Sequence, residues 1–250
     1  MGARTNRMAM LAQARAVLWY ETDALFAWNP QSSDGASITP ILGGVLSKTS
    51  AAQAVGYDSG TKLFDMTNGV YAGNTGMTAT LDTTKPFLIA IAIDKNAGAT
   101  AAFQFCFEIG ASSNIIFESA TSGTQPTFKL QLNTGAFSQT QACIATMPAG
   151  GTTAIYWCYG NPGTAGTASG QIITGNNQNA YVTSAATLTY PTSGFPTANT
   201  TVGAGYSSTT NVSKYKHGAT QVVGNRSGAS ALTYAQALAI VQKMQNLYGI

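Results

Sequence analysis

The one convincing amphipathic helix of this sequence closes the chain, within residues 222–250, and it constrains what everything before it can be. Thr233 stands where an N-cap is wanted and Gln236 follows three residues later, the spacing of a reciprocal capping box. Leu238, Val241, Met244, Leu247 and Tyr248 keep an apolar stripe at three-to-four-residue intervals, with Gln245 set aside from it. Gly249 can take the left-handed conformation that ends a helix. A lone helix must lay such a stripe on other structure, and the rest of the chain reads almost wholly as strands and polar turns.

The strand signals are clearest in the middle. Residues 87–93 place Phe87, Ile89, Ile91 and Ile93 on one face and Leu88, Ala90 and Ala92 on the other. Both faces are apolar, so this is a central strand covered on both sides. Residues 102–109, 115–118, 128–132 and 154–159 follow as strands, the last with Ile155, Trp157 and Tyr159 on one side. Short strands are also expected at 16–20, continuing after a bend at 25–28, and at 61–65, where Asn68-Gly69 reads as a hairpin turn. Weaker strand signals sit at 143–145, at 172–173 and 181–182 within the very polar stretch between 160 and 201, and at 202–203 and 215–223 after it. Many short strands with turn signals between them, and no βα alternation, specify an all-β sandwich or barrel.

Only 8% of the 250 residues are charged, against about 25% in an ordinary globular protein. Thr, Ser, Asn, Gln, Gly and Ala fill that place, while 44% hydrophobic residues suffice for a core. The net charge of +3 lies in Arg4, Arg7 and Arg15, ahead of the first acid, Glu21. A neutral body behind a basic segment argues against nucleic-acid binding, which wants a basic stripe on the fold itself. Residues 1–16 are therefore read as an N-terminal arm and 17–250 as one domain. Cys106, Cys143 and Cys158 lie in apolar runs without metal-ligand spacing and read as buried thiols of a chain made in a reducing cytoplasm. No run of apolar residues is long enough for a membrane span, and no cleavable signal is expected.

The residues offer little to catalysis. Glu21 and Asp23 lie two apart at the polar end of the first expected strand, with no partner in view, and Glu108 and Glu118 read as solvated acids on neighbouring strands. His217 is the single histidine and is expected in a turn, with no G-x-S-x-G elbow to serve. Asp58, Asp65 and Asp82 are scattered rather than clustered for a metal. No enzyme activity, metal or cofactor is expected. Sugar binding is the exception: Tyr181, Tyr190, Phe195 and Tyr206 lie among Asn176, Asn177, Gln178 and Asn199, which combines rings to stack with amides to hydrogen-bond. The competing and favoured reading makes these aromatics anchors for loops or subunit contacts.

The order of features resembles the concanavalin A-like lectin/glucanase (laminin G-like) jelly rolls of bacteriophage structural proteins. The residues that carry the likeness are Leu18-Trp19-Tyr20-Glu21-Thr22-Asp23, Lys62-Leu63-Phe64-Asp65 with Asn68-Gly69, residues 87–93, Val202-Gly203, Tyr215 to Val223, Leu232-Thr233 and the closing Leu247-Tyr248-Gly249-Ile250. An insertion over 160–170 and Gln221 in place of an acid depart from that pattern. The resemblance implies a jelly-roll sandwich of two antiparallel sheets with a C-terminal surface helix. It also implies a virion protein, first of all a capsid decoration or cement protein. Such a subunit would form a homo-oligomer and dock on the major capsid protein or another virion protein through Arg4, Arg7 and Arg15. The alternative is a tail- or fibre-associated carbohydrate-binding module that holds a host glycan through Tyr181, Tyr190, Phe195 and Tyr206.

Overall fold

In the computed structural model of the protein, the C-terminal helix α1 (Tyr234–Tyr248) forms with both caps that its sequence specifies. The Thr233 side chain accepts from the Gln236 amide, the Gln236 side chain accepts from the Thr233 amide, and Gly249 is left-handed with φ 70°. The structure describes residues 18–32, 37–48, 56–65, 71–73, 76–94, 104–110, 114–119, 126–131, 139–140, 153–164, 170–177, 179–181, 200–202 and 216–250. The basic arm, with Arg4, Arg7 and Arg15, lies outside them, as do residues 143–145.

Those residues build two antiparallel sheets of eight strands each. Sheet one runs β14 (Asn179–Tyr181), β13 (Gln171–Asn176), β12 (Thr153–Asn161), β7 (Phe87–Asp94), β16 (Lys216–Val223), β5 (Leu63–Asp65) and β4 (Gly56–Asp58). Its eighth strand, β1 (Phe26–Trp28), pairs with β16 over Thr220–Val222, beyond the stretch where β5 pairs with Lys216 and His217. Sheet two runs β11 (Gln139–Thr140), β10 (Pro126–Gln131), β9 (Asn114–Ser119), β8 (Gln104–Gly110), β15 (Thr200–Val202), β6 (Tyr71–Gly73), β3 (Leu46–Lys48) and β2 (Ser37–Ile38). The architecture is a β-sandwich with one helix layered on sheet one.

Strand β7 is the hinge of this arrangement, and all eight of its residues are buried. On one face Leu88, Ala90 and Ala92 join Ile155, Trp157 and Tyr159 of β12 and Ala219 and Val223 of β16. Against them lie Ala237, Ile240, Val241 and Met244 of α1. The alanines leave the room that the helix occupies. The alternate residues Phe87, Ile89, Ile91 and Ile93 are buried on the opposite face, and Phe26, Trp28 and Phe64 are fully buried as well. Each such large side chain contributes about 2–3 kcal/mol by leaving water.

The helix also repairs a defect in the sheet. Between His217 and Thr220 the register of β16 on β7 shifts, a β-bulge formed by Gly218 and Ala219. The Ala219 amide leaves the ladder and donates to the Tyr248 hydroxyl at 2.5 Å. A Cβ on Gly218 would stand 2.2 Å from that hydroxyl, so glycine is required for the approach. Lys62, itself left-handed at φ 58°, donates through Nζ to the Leu247 carbonyl at 2.7 Å, a cation on the C-terminal turn of α1.

Two local expectations are corrected. Residues 18–25 are not a strand: they form bends and a turn closed by the Ala24 amide on the Glu21 carbonyl, and extended pairing begins at Phe26. Asn68-Gly69, expected as a hairpin turn, lies outside the described residues. His217 sits in β16 rather than a turn, fully buried opposite Phe64 and Ile93. Short strands β2, β3 and β4 occupy a region in which the sequence shows little periodicity.

Candidate functional site

Two corners of sheet one gather polar and aromatic chemistry. The first surrounds Glu21. Arg226 grips Asp23 with two bonds, Nε to Oδ2 at 2.8 Å and Nη2 to Oδ1 at 2.6 Å, and reaches Glu21 Oε2 at 3.0 Å. Lys243 of α1 closes the group on Glu21 Oε1 at 2.7 Å. Beneath it the buried Gln221 amide accepts from the Glu21 backbone amide at 3.3 Å and donates to the Trp19 carbonyl at 3.4 Å. Trp19 and Tyr20, edge to face, pack on the helix-facing core. Glu21 and Asp23 are therefore partnered, contrary to the sequence expectation. The partners lie 205 and 222 positions away from Glu21, beyond any local signal.

This chemistry fixes a chain segment rather than a reacting group. Burial works against the charge on Glu21, but Lys243 and Arg226 outweigh it and hold the carboxyl below the usual range. The Arg226 hydrogen bonds do the same for Asp23. Both stay ionised, which suits ion pairing and not proton donation. Two of the scattered aspartates are similarly engaged. Asp58 Oδ1 accepts from the Gly60 amide at 2.8 Å, and Asp82 accepts from the Thr84 amide at 3.0 Å and pairs with Lys85. Among the described residues no three potential metal-binding side chains come together. Burial, only partly offset by Asp65, pushes His217 down to about 3, so the imidazole is neutral. Glu118 pairs with Phe105 and Glu108 with Ile116, which puts the two acids at different steps of the β8–β9 ladder.

The second corner lies where β12 and β13 meet the start of α1. Trp157 Nε1 donates to the Asn177 carbonyl at 2.8 Å. Asn177, left-handed at φ 48°, turns the chain from β13 into β14. Its side-chain oxygen accepts from the Ile155 amide at 2.9 Å, and its own amide donates to the Ile155 carbonyl at 2.7 Å. Tyr159 donates through its hydroxyl to the Leu232 carbonyl at 3.0 Å, which ties β12 to the entry of the helix. The half-buried Tyr234 ring leans on both, 6.1 Å from Trp157 and 5.6 Å from Tyr159. Gly175, paired with Trp157, has no room for a Cβ: it would stand 2.4 Å from the indole.

Of the aromatics nominated for sugar binding, Tyr181 ends β14 opposite Thr174. Tyr190, Phe195 and Tyr206 lie outside the described residues, as do Gln178 and Asn199. Asn177, nominated as a sugar amide, has a structural duty through its oxygen.

The sequence matches no protein-family model and no curated protein. Solved structures do share its shape. Domain 4 of an extracellular GH43 arabinanase from Geobacillus stearothermophilus, in complex with arabinotriose, aligns with a TM-score of 0.53 and 11% identity. That alignment covers 89% of this chain and 100% of the domain. The binding domain of botulinum neurotoxin serotype D aligns at 0.58 and 7% identity, over 89% of this chain and 51% of its own. A Trypanosoma rangeli sialidase in complex with 2,3-difluorosialic acid aligns at 0.57 and 8% identity, over 94% of this chain. The chain spans 35% of that sialidase and about half of the toxin domain. What is shared is the β-sandwich fold, as the sequence resemblance implies.

Proposed function

We propose that this protein is a non-catalytic carbohydrate-binding β-sandwich, the alternative that the sequence sets beside capsid decoration. The observation that carries this reading is the end-to-end likeness to arabinanase domain 4, a sandwich of the same extent whose structure contains arabinotriose. The engaged state of Glu21 and Asp23 supports binding without hydrolysis, since a glycosidase needs one carboxyl protonated and aimed at the scissile oxygen. In the virion setting implied by the sequence resemblance, such a module serves attachment to host-surface glycans from a tail or fibre. Decoration of a capsid shell through residues 1–16 is the reading that the fold supports less.

The test is a calorimetric titration of the full chain with arabinotriose, other neutral oligosaccharides and sialyllactose. Saturable binding of at least one, with no hydrolysis on prolonged incubation, is expected. Silence across the whole panel overturns the proposal.

A further inference from the structure

Charge is distributed very unevenly along this chain. Residues 130–213 contain no Asp, Glu, Lys, Arg or His. That tract supplies β12, β13 and β14, one whole side of sheet one. It also holds Tyr181, Tyr190, Phe195 and Tyr206. Where the tract meets the helix, the second corner described above presents one flat ring and a set of neutral amides.

Tyr234 is the ring. Trp157, fully buried, and Tyr159 lie against it at interplanar angles of 50° and 52° and hold it from the core side. Both supports are themselves locked, Trp157 by the Asn177 carbonyl and Tyr159 by the Leu232 carbonyl. The Tyr234 ring is therefore pre-ordered, and stacking a ligand on its outer part costs little side-chain entropy. Beside the Trp157 indole stands the Asn177 turn, whose Nδ2 group has no partner among the described residues. Asn179 follows it, exposed, and Thr233 and Gln236 flank Tyr234 on the helix, also exposed.

This is the chemistry of sugar recognition: C–H faces stack on an aromatic plane, and hydroxyls exchange hydrogen bonds with amides and hydroxyls. The missing element is informative as well. An acidic sugar is held through its carboxylate by a cation, usually a paired arginine. Among the described residues, Arg226 and Lys243 beside the helix are committed to Asp23 and Glu21, and Lys62 to the Leu247 carbonyl. We infer that Tyr234, with the Asn177 turn, forms a binding surface for an uncharged glycan. This rests on the carbohydrate-binding reading above and names its site and ligand class.

The experiment compares the full-length protein with Tyr234→Leu and Tyr234→Phe in titrations with neutral oligosaccharides and sialyllactose. Leucine keeps apolar volume over Trp157 and Tyr159, so melting temperature and helical circular dichroism report whether the fold is intact. Tyr234→Leu is expected to weaken neutral-glycan binding by roughly tenfold, the upper range for an aromatic pair, while Tyr234→Phe stays close to wild type. Undiminished binding by a folded Tyr234→Leu protein overturns this site and leaves the carbohydrate-binding reading standing. Binding of sialyllactose alone overturns the ligand class. Absence of any glycan binding by the wild type overturns both.

Discussion

Around β16 and β1, sheet one is held by formal charge and amide exchange: Arg226 and Lys243 close on Glu21 and Asp23 over the buried Gln221. Around β12, β13 and β14 the same sheet is held by Trp157, Tyr159 and Tyr234 and by the left-handed Asn177, with no Asp, Glu, Lys, Arg or His in residues 130–213. The first corner secures a segment that enters from the N-terminal side, where directional ion pairs specify one path among many. The second is closed by contacts among its own strands, the Asn177 turn and the entry of the helix. It can leave part of a ring and several amides facing outward, because nothing there demands that charge be neutralised. A surface without charge loses little affinity to salt and does not attract ions, which suits an uncharged ligand.

Several substitutions would break or sharpen this contrast. The largest effect belongs to the neutral corner: Trp157→Ala should cost about 3–5 kcal/mol in denaturant unfolding, equally at low and high salt. A marked salt dependence would mean that charge reaches this corner after all. Acid should act on the opposite side, through His217 in β16. Its folded pKa of about 3 lies below the ordinary 6.5, so the unfolded chain takes up a proton that the folded chain refuses. This contribution is complete above pH 6.5 and is lost as pH falls toward 3, up to roughly 5 kcal/mol. His217→Leu should flatten that part of the stability profile, and an unchanged slope would count against the buried neutral imidazole.

Gln221→Glu isolates the amide exchange. A carboxylate can accept from the Glu21 amide but cannot donate to the Trp19 carbonyl, and it brings a buried charge near Glu21. The expected loss is about 1–3 kcal/mol, read by denaturant midpoints. Arg226→Met should cost less, about 1 kcal/mol, because Asp23 is more than half exposed and Glu21 keeps Lys243 as a partner. Its deficit should shrink as salt rises, in contrast to that of Trp157→Ala.

The two corners also differ in how far they could be read beforehand. Much that is local is legible: the Thr233–Gln236 capping box, the left-handed Gly249 and the two-sided burial of β7 all follow from spacing alone. Ile155, Trp157 and Tyr159 share one face as their alternation requires, since a strand permits nothing else. Long-range electrostatics were not legible, because no local pattern links Glu21 to Arg226 across 205 positions. The choice of sheet for β5 and β6 is likewise made by distant partners. Gln245 was set aside from the helix stripe for its polarity, yet it is buried. Tyr234 stands one helical turn before Leu238, and nothing in its spacing singles it out. Only its contacts with two aromatics of β12 distinguish it.

The most direct measurement is the affinity of the full chain for a neutral oligosaccharide at low and at high salt. The account predicts saturable binding whose strength stays constant as salt is raised, because no ion pair joins ligand to protein. Binding that collapses with salt, or that requires an acidic sugar, would contradict it.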